Sequence, residues 1–190
     1  MSSKIELCNQ ALVKLARNRV TDIEAPTTNE EKILGVVFDQ LADEVMAAGS
    51  WTSVMHRATL VNTGVTPVYG FTYTYQLPTS PKCLHVVEMK EDRVGTYPYV
   101  IEGDKLLTDL TSVSILYRAR ISTTESWDIG LSSAFVYRLT AELAQILTGN
   151  ETKAQFYTQL YAAKLQEHLS QNNQQGSQQY TVSSELIDVR

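Results

Sequence analysis

Hydrophobic residues change their spacing twice along this chain of 190 residues. They recur every three or four positions up to about residue 50, every second position from there to about residue 125, and every three or four positions again to about residue 171. The first spacing is that of an amphipathic helix, and the second is that of a half-buried strand. The pattern predicts an α+β fold in which an antiparallel β segment is inserted between two helical halves.

The centre of the β segment predicts two strands separated by a proline-rich turn. Tyr73, Tyr75 and Leu77 alternate with polar residues, as in a strand with one buried face. Pro78 and Pro81 then remove backbone donors and fix φ, so the first strand ends there and a second apolar strand follows. Shorter alternating runs on either side bring the expected number of strands to five or six.

Two capping-box patterns mark where the N-terminal helices begin. Ser3 is followed three positions later by Glu6, and Thr28 is followed in the same way by Glu31. Gly49 stands where a left-handed residue would end the second helix. With two further helices after the β segment, the sequence predicts about four helices, two from each end of the chain, packed as an antiparallel bundle.

These patterns divide the chain into three predicted parts. Residues 1–50 and 126–171 form the helical bundle domain, and residues 51–125 form the inserted β domain. Residues 172–190 form a flexible C-terminal tail, because the polar run SQNNQQGSQQ around its start has no periodicity and cannot bury a core.

The tail regains apolar residues near its end, which indicates an arm that docks on its own subunit or on a neighbour. If extended, residues 172–190 would span roughly 60 Å, at about 3.3 Å per residue. The residues expected to bind the partner are Tyr180, Val182, Leu186, Ile187, Val189 and Arg190.

Charge and residue spacing exclude several classes of site. The net charge of −5 argues against a protein that grips nucleic acid through a basic face. His56, His85 and His168 lack partners at metal-ligand spacing, and Cys8 and Cys83 are interpreted as small core residues rather than a disulfide or metal pair. No phosphate-binding loop or nucleophile motif occurs. We therefore predict no catalytic residue, metal or cofactor, and expect the protein not to be an enzyme.

Two arginines of the last predicted strand are the remaining candidates for contacts. Arg118 and Arg120 alternate with apolar residues, so both are expected to face outward from the strand. A solvated face is the simpler interpretation; contacts with a phosphate, a neighbouring subunit or a channel are the alternative.

No apolar run approaches the ~20 residues that cross a bilayer. The first ten residues also lack the apolar core of a signal peptide. We therefore expect no membrane contact and a protein that stays in the cytoplasm where it is made.

Several short motifs, taken in their order along the chain, resemble the motifs of a known family. They are LCNQAL at 7–12, GSWT at 49–52, YQLP at 75–78 with CL at 83–84, YVIEG at 99–103 with LLTD at 106–109, VSILY at 113–117, and the helix at 141–147. In this order they resemble tail tubular protein A, the head-to-tail adaptor family of short-tailed double-stranded DNA bacteriophages. The likeness covers residues 1–170, and one departure is the spacer TSPK at 79–82, which is longer than the family pattern leads us to expect.

The resemblance implies a structural role in the virion. Subunits of such an adaptor form a ring of about twelve in the neck of the tail, between the portal protein and a nozzle resembling tail tubular protein B. Genome DNA passes through the channel without sequence-specific binding, and the protein is made in the cytoplasm of the bacterial host. The resemblance thus implies a homo-oligomer as well as portal and nozzle partners.

Two alternatives of other classes stay open. A cell-wall-degrading tail component would need two carboxylates about 5–10 Å apart in a cleft, and the sequence indicates no convincing pair. A glycan-binding component would use the tyrosines of the β segment, with Tyr97 and Tyr99 as the residues to change. The spacing of these tyrosines is explained more simply by cross-strand packing.

Overall fold

The computed structural model describes residues 2–90 and 97–175, with the backbone alone from Leu169 to Gln175. Over these residues the fold is α+β, with four α-helices and two antiparallel sheets of three and four strands. The predicted α+β class is confirmed. Within the described part of the chain, no helix combines the length and apolar character needed to cross a membrane.

The four helices come from the two ends of the chain, and α3 contacts each of the other three. Their bounds are α1 (Lys4–Lys14), α2 (Asn29–Ala48), α3 (Ile129–Thr148) and α4 (Glu151–Gln175). Gly149 adopts the left-handed conformation (φ 60°) that ends α3 and lets α4 fold back along it. The Tyr137 and Tyr157 rings lie 6.5 Å apart, and Gly130 lies beside His168, so α3 and α4 run antiparallel.

Both predicted N-caps are present. The Ser3 side chain accepts a hydrogen bond from the Glu6 backbone N–H at 3.2 Å. Thr28 and Glu31 form a reciprocal capping box at the start of α2. The Glu31 carboxylate also accepts bonds from Thr27 and Thr21, so it holds the preceding loop against the helix.

The Glu31 carboxylate predicts an acid-sensitive contribution to stability. Backbone donors of Thr28 and Thr27 lower the pKa of Glu31 from 4.5 to about 2. A carboxylate with a depressed folded-state pKa stabilises the fold above pH 4.5, and this contribution is lost as the pH falls toward 2. Glu31→Gln should lower the melting temperature at pH 7, and the difference from wild type should shrink as the pH falls through this window. Glu30→Gln, in the same helix turn but without these bonds, is the control; equal losses in both variants would contradict the assignment.

The seven strands of the described residues form two sheets. Their bounds are β1 (Met55–Thr59), β2 (Val61–Asn62), β3 (Tyr73–Gln76), β4 (Cys83–Lys90), β5 (Tyr99–Glu102), β6 (Lys105–Thr108) and β7 (Ser114–Ala119). The strand orders are β1-β7-β4 and β2-β3-β6-β5, and every pairing is antiparallel.

The expected five or six strands become seven because one extended segment serves both sheets. The stretch from Met55 to Asn62 pairs with β7 up to Thr59, and from Val61 it pairs with β3. Leu60 lies between these pairings and is 7% exposed. A change from one sheet to the other depends on partners that are distant in sequence. It does not alter the local alternation of apolar and polar residues, so the sequence pattern does not reveal it.

Buried apolar side chains form two clusters. One lies among the helices and includes Trp51, Val54 and Trp127. The other lies between the two sheets and includes Tyr75 and Tyr117. Ile121 packs against both clusters, so the apolar interior continues from the helices into the sheets. For brevity, residues 55–119 are called the β lobe below.

Two predicted helix ends differ from the structure. Gly49 is extended rather than left-handed, with φ −108° and ψ 158°. A Cβ at this position would lie 2.3 Å from the Trp51 ring, so the glycine is required by close approach of the indole and not by a positive φ. At the other end of the chain α4 continues to Gln175, past the predicted boundary at 171.

Candidate functional site

The helices and the β lobe meet along one face of β7. Ile115 and Tyr117 point to the interior of the lobe and are each 2% exposed. Arg118 and Arg120 are half-buried, and both contact α2. The strand therefore presents its apolar face to the lobe and its basic face to the helices.

Arg118 fastens β7 to the C-terminal end of α2. Its Nη1 donates to the Ala47 carbonyl, and its Nη2 donates to Ser50 Oγ at 3.2 Å. Carbonyls in the last turn of a helix lack intrahelical partners and carry partial negative charge, so a guanidinium satisfies them well. Burial lowers the pKa of Arg118 below its usual range.

Arg120 belongs to a chain of charges that joins α1, α2 and β7. Its Nε lies 2.9 Å from Asp43 Oδ1, and its Nη2 lies 3.8 Å from Asp39 Oδ2. Lys4 Nζ lies 3.3 Å from the other oxygen of Asp39. Burial raises the pKa of Asp43, while the Arg120 charge opposes that rise.

Both candidate arginines therefore have partners within their own chain. The sequence missed these partners because they lie more than 65 positions away, at separations of 71 and 68 for Arg118. Contacts of Arg118 and Arg120 with a neighbouring subunit or a channel stay a prediction. The six predicted arm residues, from Tyr180 to Arg190, lie outside the described residues.

Trp51 is the joint at which the chain leaves the helices. Its indole is 0% exposed, and its Nε1 donates to the Val45 carbonyl at 2.7 Å. The His168 ring of α4 packs on the indole with 4.3 Å between ring centroids. Trp51 thus binds together the end of α2, the entry to the β lobe and the last described turns of α4.

A second contact reinforces the same joint. Asp128 caps α3 by accepting from the Leu131 backbone N–H at 2.8 Å. Its other oxygen accepts from the backbone N–H and the hydroxyl of Ser53, at 3.2 and 2.9 Å. The two points at which the chain enters and leaves the lobe are therefore tied to one carboxylate.

A cleft of about 840 Å³ opens between α2 and the turn that follows β3. Phe38, Met46 and Trp127 form an apolar floor that is almost fully buried. Charged side chains of both signs form the rim: Lys4, Glu24, Asp39, Lys82 and Arg120. The volume lies within the roughly 300–1,000 Å³ typical of ligand sites.

The unusual spacer 79–82 builds the lobe side of this cleft. Thr79 and Lys82 form an isolated antiparallel bridge around a cis Ser80–Pro81 bond. The Lys82 side chain is exposed, and it makes no ion pair with any residue that the structure describes. The departure noted in the sequence thus has a location, at the rim of a charged cleft.

No protein-family model matches this chain, and no curated protein matches it at a significant level. The site must therefore be interpreted from its own chemistry.

That chemistry offers no metal-binding cluster in the described residues. Ranges 2–90 and 97–175 contain no group of three or more His, Cys, Asp or Glu side chains that could hold a metal ion. His85 is exposed on β4, and His56 lies on β1 with its ring 6.1 Å from that of Tyr117. Cys8 and Cys83 are free, and burial raises the pKa of Cys8 to about 12, which keeps that thiol protonated.

Proposed function

We propose that this protein is a structural head-to-tail adaptor of a tailed bacteriophage, similar to tail tubular protein A. In this proposal its subunits form a ring of about twelve between the portal and the tail nozzle, around the channel through which DNA leaves. The helices, two from each end of the chain, act as one bundle, and the β lobe is an insertion into it. The working part is the outer surface of the subunit rather than a catalytic pocket.

The observation that carries the proposal is the position of the GSWT motif at 49–52. Gly49 has no room for a side chain beside the indole, Ser50 accepts a bond from Arg118, and Trp51 is fully buried. One of the motifs on which the resemblance depends thus forms a buried, closely packed joint between the helices and the lobe. A rigid two-part body suits a ring subunit, which must hold its neighbours in fixed geometry.

Charge also supports an adaptor through which DNA slides. Twelve copies with a net charge of −5 each would give the ring a charge of about −60. A ring of that sign repels the phosphate backbone, so DNA would not adhere to the channel wall in transit. The same charge disfavours a protein whose task is to hold nucleic acid.

The glycan-binding alternative receives less support. Tyr97 and Tyr99 pack against the apolar interior of the β lobe and are half-buried. Tyrosines that stack on sugars need exposed ring faces, whereas the lobe interior covers part of each of these two side chains. The adaptor is therefore the function that we propose.

Co-purification with the portal tests the proposal. The full chain, expressed with the portal protein of the same virus, should form a complex in which electron microscopy counts about twelve adaptor subunits below the portal ring. A variant lacking residues 177–190 should lose much of this complex if the arm contacts the portal or a neighbouring subunit. A free monomer that never joins portal or nozzle, and that occurs in virions as an active enzyme, would overturn the proposal.

A further inference from the structure

The cleft between α2 and the spacer 79–82 has the chemistry of a site for a short peptide. Its floor residues Phe38, Met46 and Trp127 are almost fully buried, so the apolar surface open to a ligand comes from half-buried Pro81 and Ile121, enough for one or two aliphatic side chains. Its rim carries three cations and two carboxylates, Lys4, Lys82, Arg120, Glu24 and Asp39. A peptide that complements such a rim needs aliphatic residues flanked by charges of both signs.

Two of the three cations on the rim are already engaged. Arg120 pairs with Asp43 at 2.9 Å, and Lys4 pairs with Asp39 at 3.3 Å. Lys82 has no such partner among the residues that the structure describes. The Lys82 charge acts on Asp43 only at longer range than an ion pair, so this cation stays open to a close pair with a carboxylate of an incoming segment.

This chain itself contains a segment of that kind. Residues 185–190 have the sequence ELIDVR, in which the aliphatic pair Leu186-Ile187 lies between Glu185 and Asp188. Fifteen residues follow the last described position, Gln175. When extended they span about 50 Å, at ~3.3 Å per residue, which is enough to reach a surface on an adjacent molecule.

We propose that residues 184–190 of one subunit bind in the cleft of the neighbouring subunit. Leu186 and Ile187 pack on Pro81 and Ile121, and Glu185 and Asp188 approach Lys82. The inference deepens the proposed function and rests on it, because it names the surface that the arm takes within the ring. The arm and the cleft are different surfaces of one chain, so their contact is head-to-tail, the kind that closes rings.

A labelled synthetic peptide of residues 176–190 tests the contact directly. It is titrated into the full-length variant Leu186→Asp/Ile187→Asp, whose own arm no longer competes for the cleft. We expect saturable binding that weakens as salt is raised. Absence of binding at low salt would overturn the inference.

Charge reversal then tests the assigned site. Lys82→Glu, introduced into the same variant, should weaken peptide binding about tenfold, because it replaces an attraction by a repulsion of comparable size. Lys105→Glu is the matched control, since Lys105 is also an exposed lysine of the lobe and does not line the cleft. A peptide with Glu185→Lys and Asp188→Lys should bind the Lys82→Glu variant better than the wild-type peptide does. The assigned site would be wrong if Lys82→Glu and Lys105→Glu weakened peptide binding equally. It would also be wrong if the charge-reversed peptide bound the Lys82→Glu variant no better than the wild-type peptide does.

A third experiment assigns the source of the arm. Unlabelled and ¹⁵N-labelled full-length proteins are mixed, assembled and cross-linked between residues of the arm and residues of the cleft. Cross-links that join one labelled and one unlabelled peptide are expected, and cross-links within single chains alone would overturn the inter-subunit assignment. If the peptide binds the cleft but the full chain does not co-purify with the portal, the adaptor function is refuted. If the full chain co-purifies with the portal but the peptide does not bind, only the arm–cleft contact is refuted.

Discussion

Replacing Trp51 by alanine is expected to lower the free energy of unfolding by about 3–5 kcal/mol. The side chain is 0% exposed, and it lies in the core shared by the helices and the entry to the lobe. Its removal leaves a cavity beneath His168 of α4 and deprives the Val45 carbonyl of its indole donor at 2.7 Å. Gly49, which leaves room for the indole by lacking a side chain, has no atoms with which to fill that cavity.

Urea unfolding followed by circular dichroism measures this loss. Trp51→Phe is the matched variant: it keeps an aromatic ring on His168 and removes the Nε1 donor, so a smaller loss of about 1–2 kcal/mol is expected. The order of the two losses is the critical result. A Trp51→Ala variant that loses less than Trp51→Phe would mean that the joint is not held by packing of the indole.

Replacing Arg118 by leucine is expected to lower the free energy of unfolding by about 2 kcal/mol. The change removes two donated hydrogen bonds, to Ala47 O and Ser50 Oγ, and leaves the Ala47 carbonyl at the end of α2 without its charged donor. These bonds join the lobe to the helices, so the loss weakens the attachment of one part to the other. The leucine keeps most of the apolar stem, which limits the effect to the guanidinium.

Arg120→Leu is the control for this prediction. Arg120 lies two positions further along the chain, directly after β7, and its ion pairs with Asp43 and Asp39 involve side chains that are 29–64% exposed. Exposed ion pairs contribute only about 0–1 kcal/mol. The same urea experiment should therefore find the smaller loss in Arg120→Leu, and a loss equal to or above that of Arg118→Leu would contradict the role assigned to Arg118.

Local signals were sufficient for the class of the fold and for the starts of its helices. Ser3 and Thr28 cap helices where the sequence predicted them, because a cap needs only a side-chain acceptor three residues from a free N–H. The strands Tyr73–Gln76 and Cys83–Lys90 occur on either side of the predicted proline turn. The three-part division and the ring were not decided by these elements and stay predictions.

The candidate site was less accessible to such reasoning. The spacer 79–82 was noticed only as an irregularity, and nothing local indicates that it faces Phe38 and Met46 across a cleft. The outward face predicted for Arg118 and Arg120 turned out to be the face that meets α2. Alternation in a strand predicts that two faces exist, and it does not tell which neighbour covers the second one.

The sequence by itself determined the α+β class, the N-caps Ser3 and Thr28 and the two strands beside the proline turn, since periods of 3.6 and two residues and capping bonds span only a few positions. Tertiary structure alone decided that Leu60 separates two sheets, that Gly49 is extended beside an indole, and that His168 returns to cover Trp51. Each of these features depends on residues that are close in space but distant or differently placed in sequence. Packing against those residues, and not local conformational preference, selects the backbone conformation or the side-chain contact.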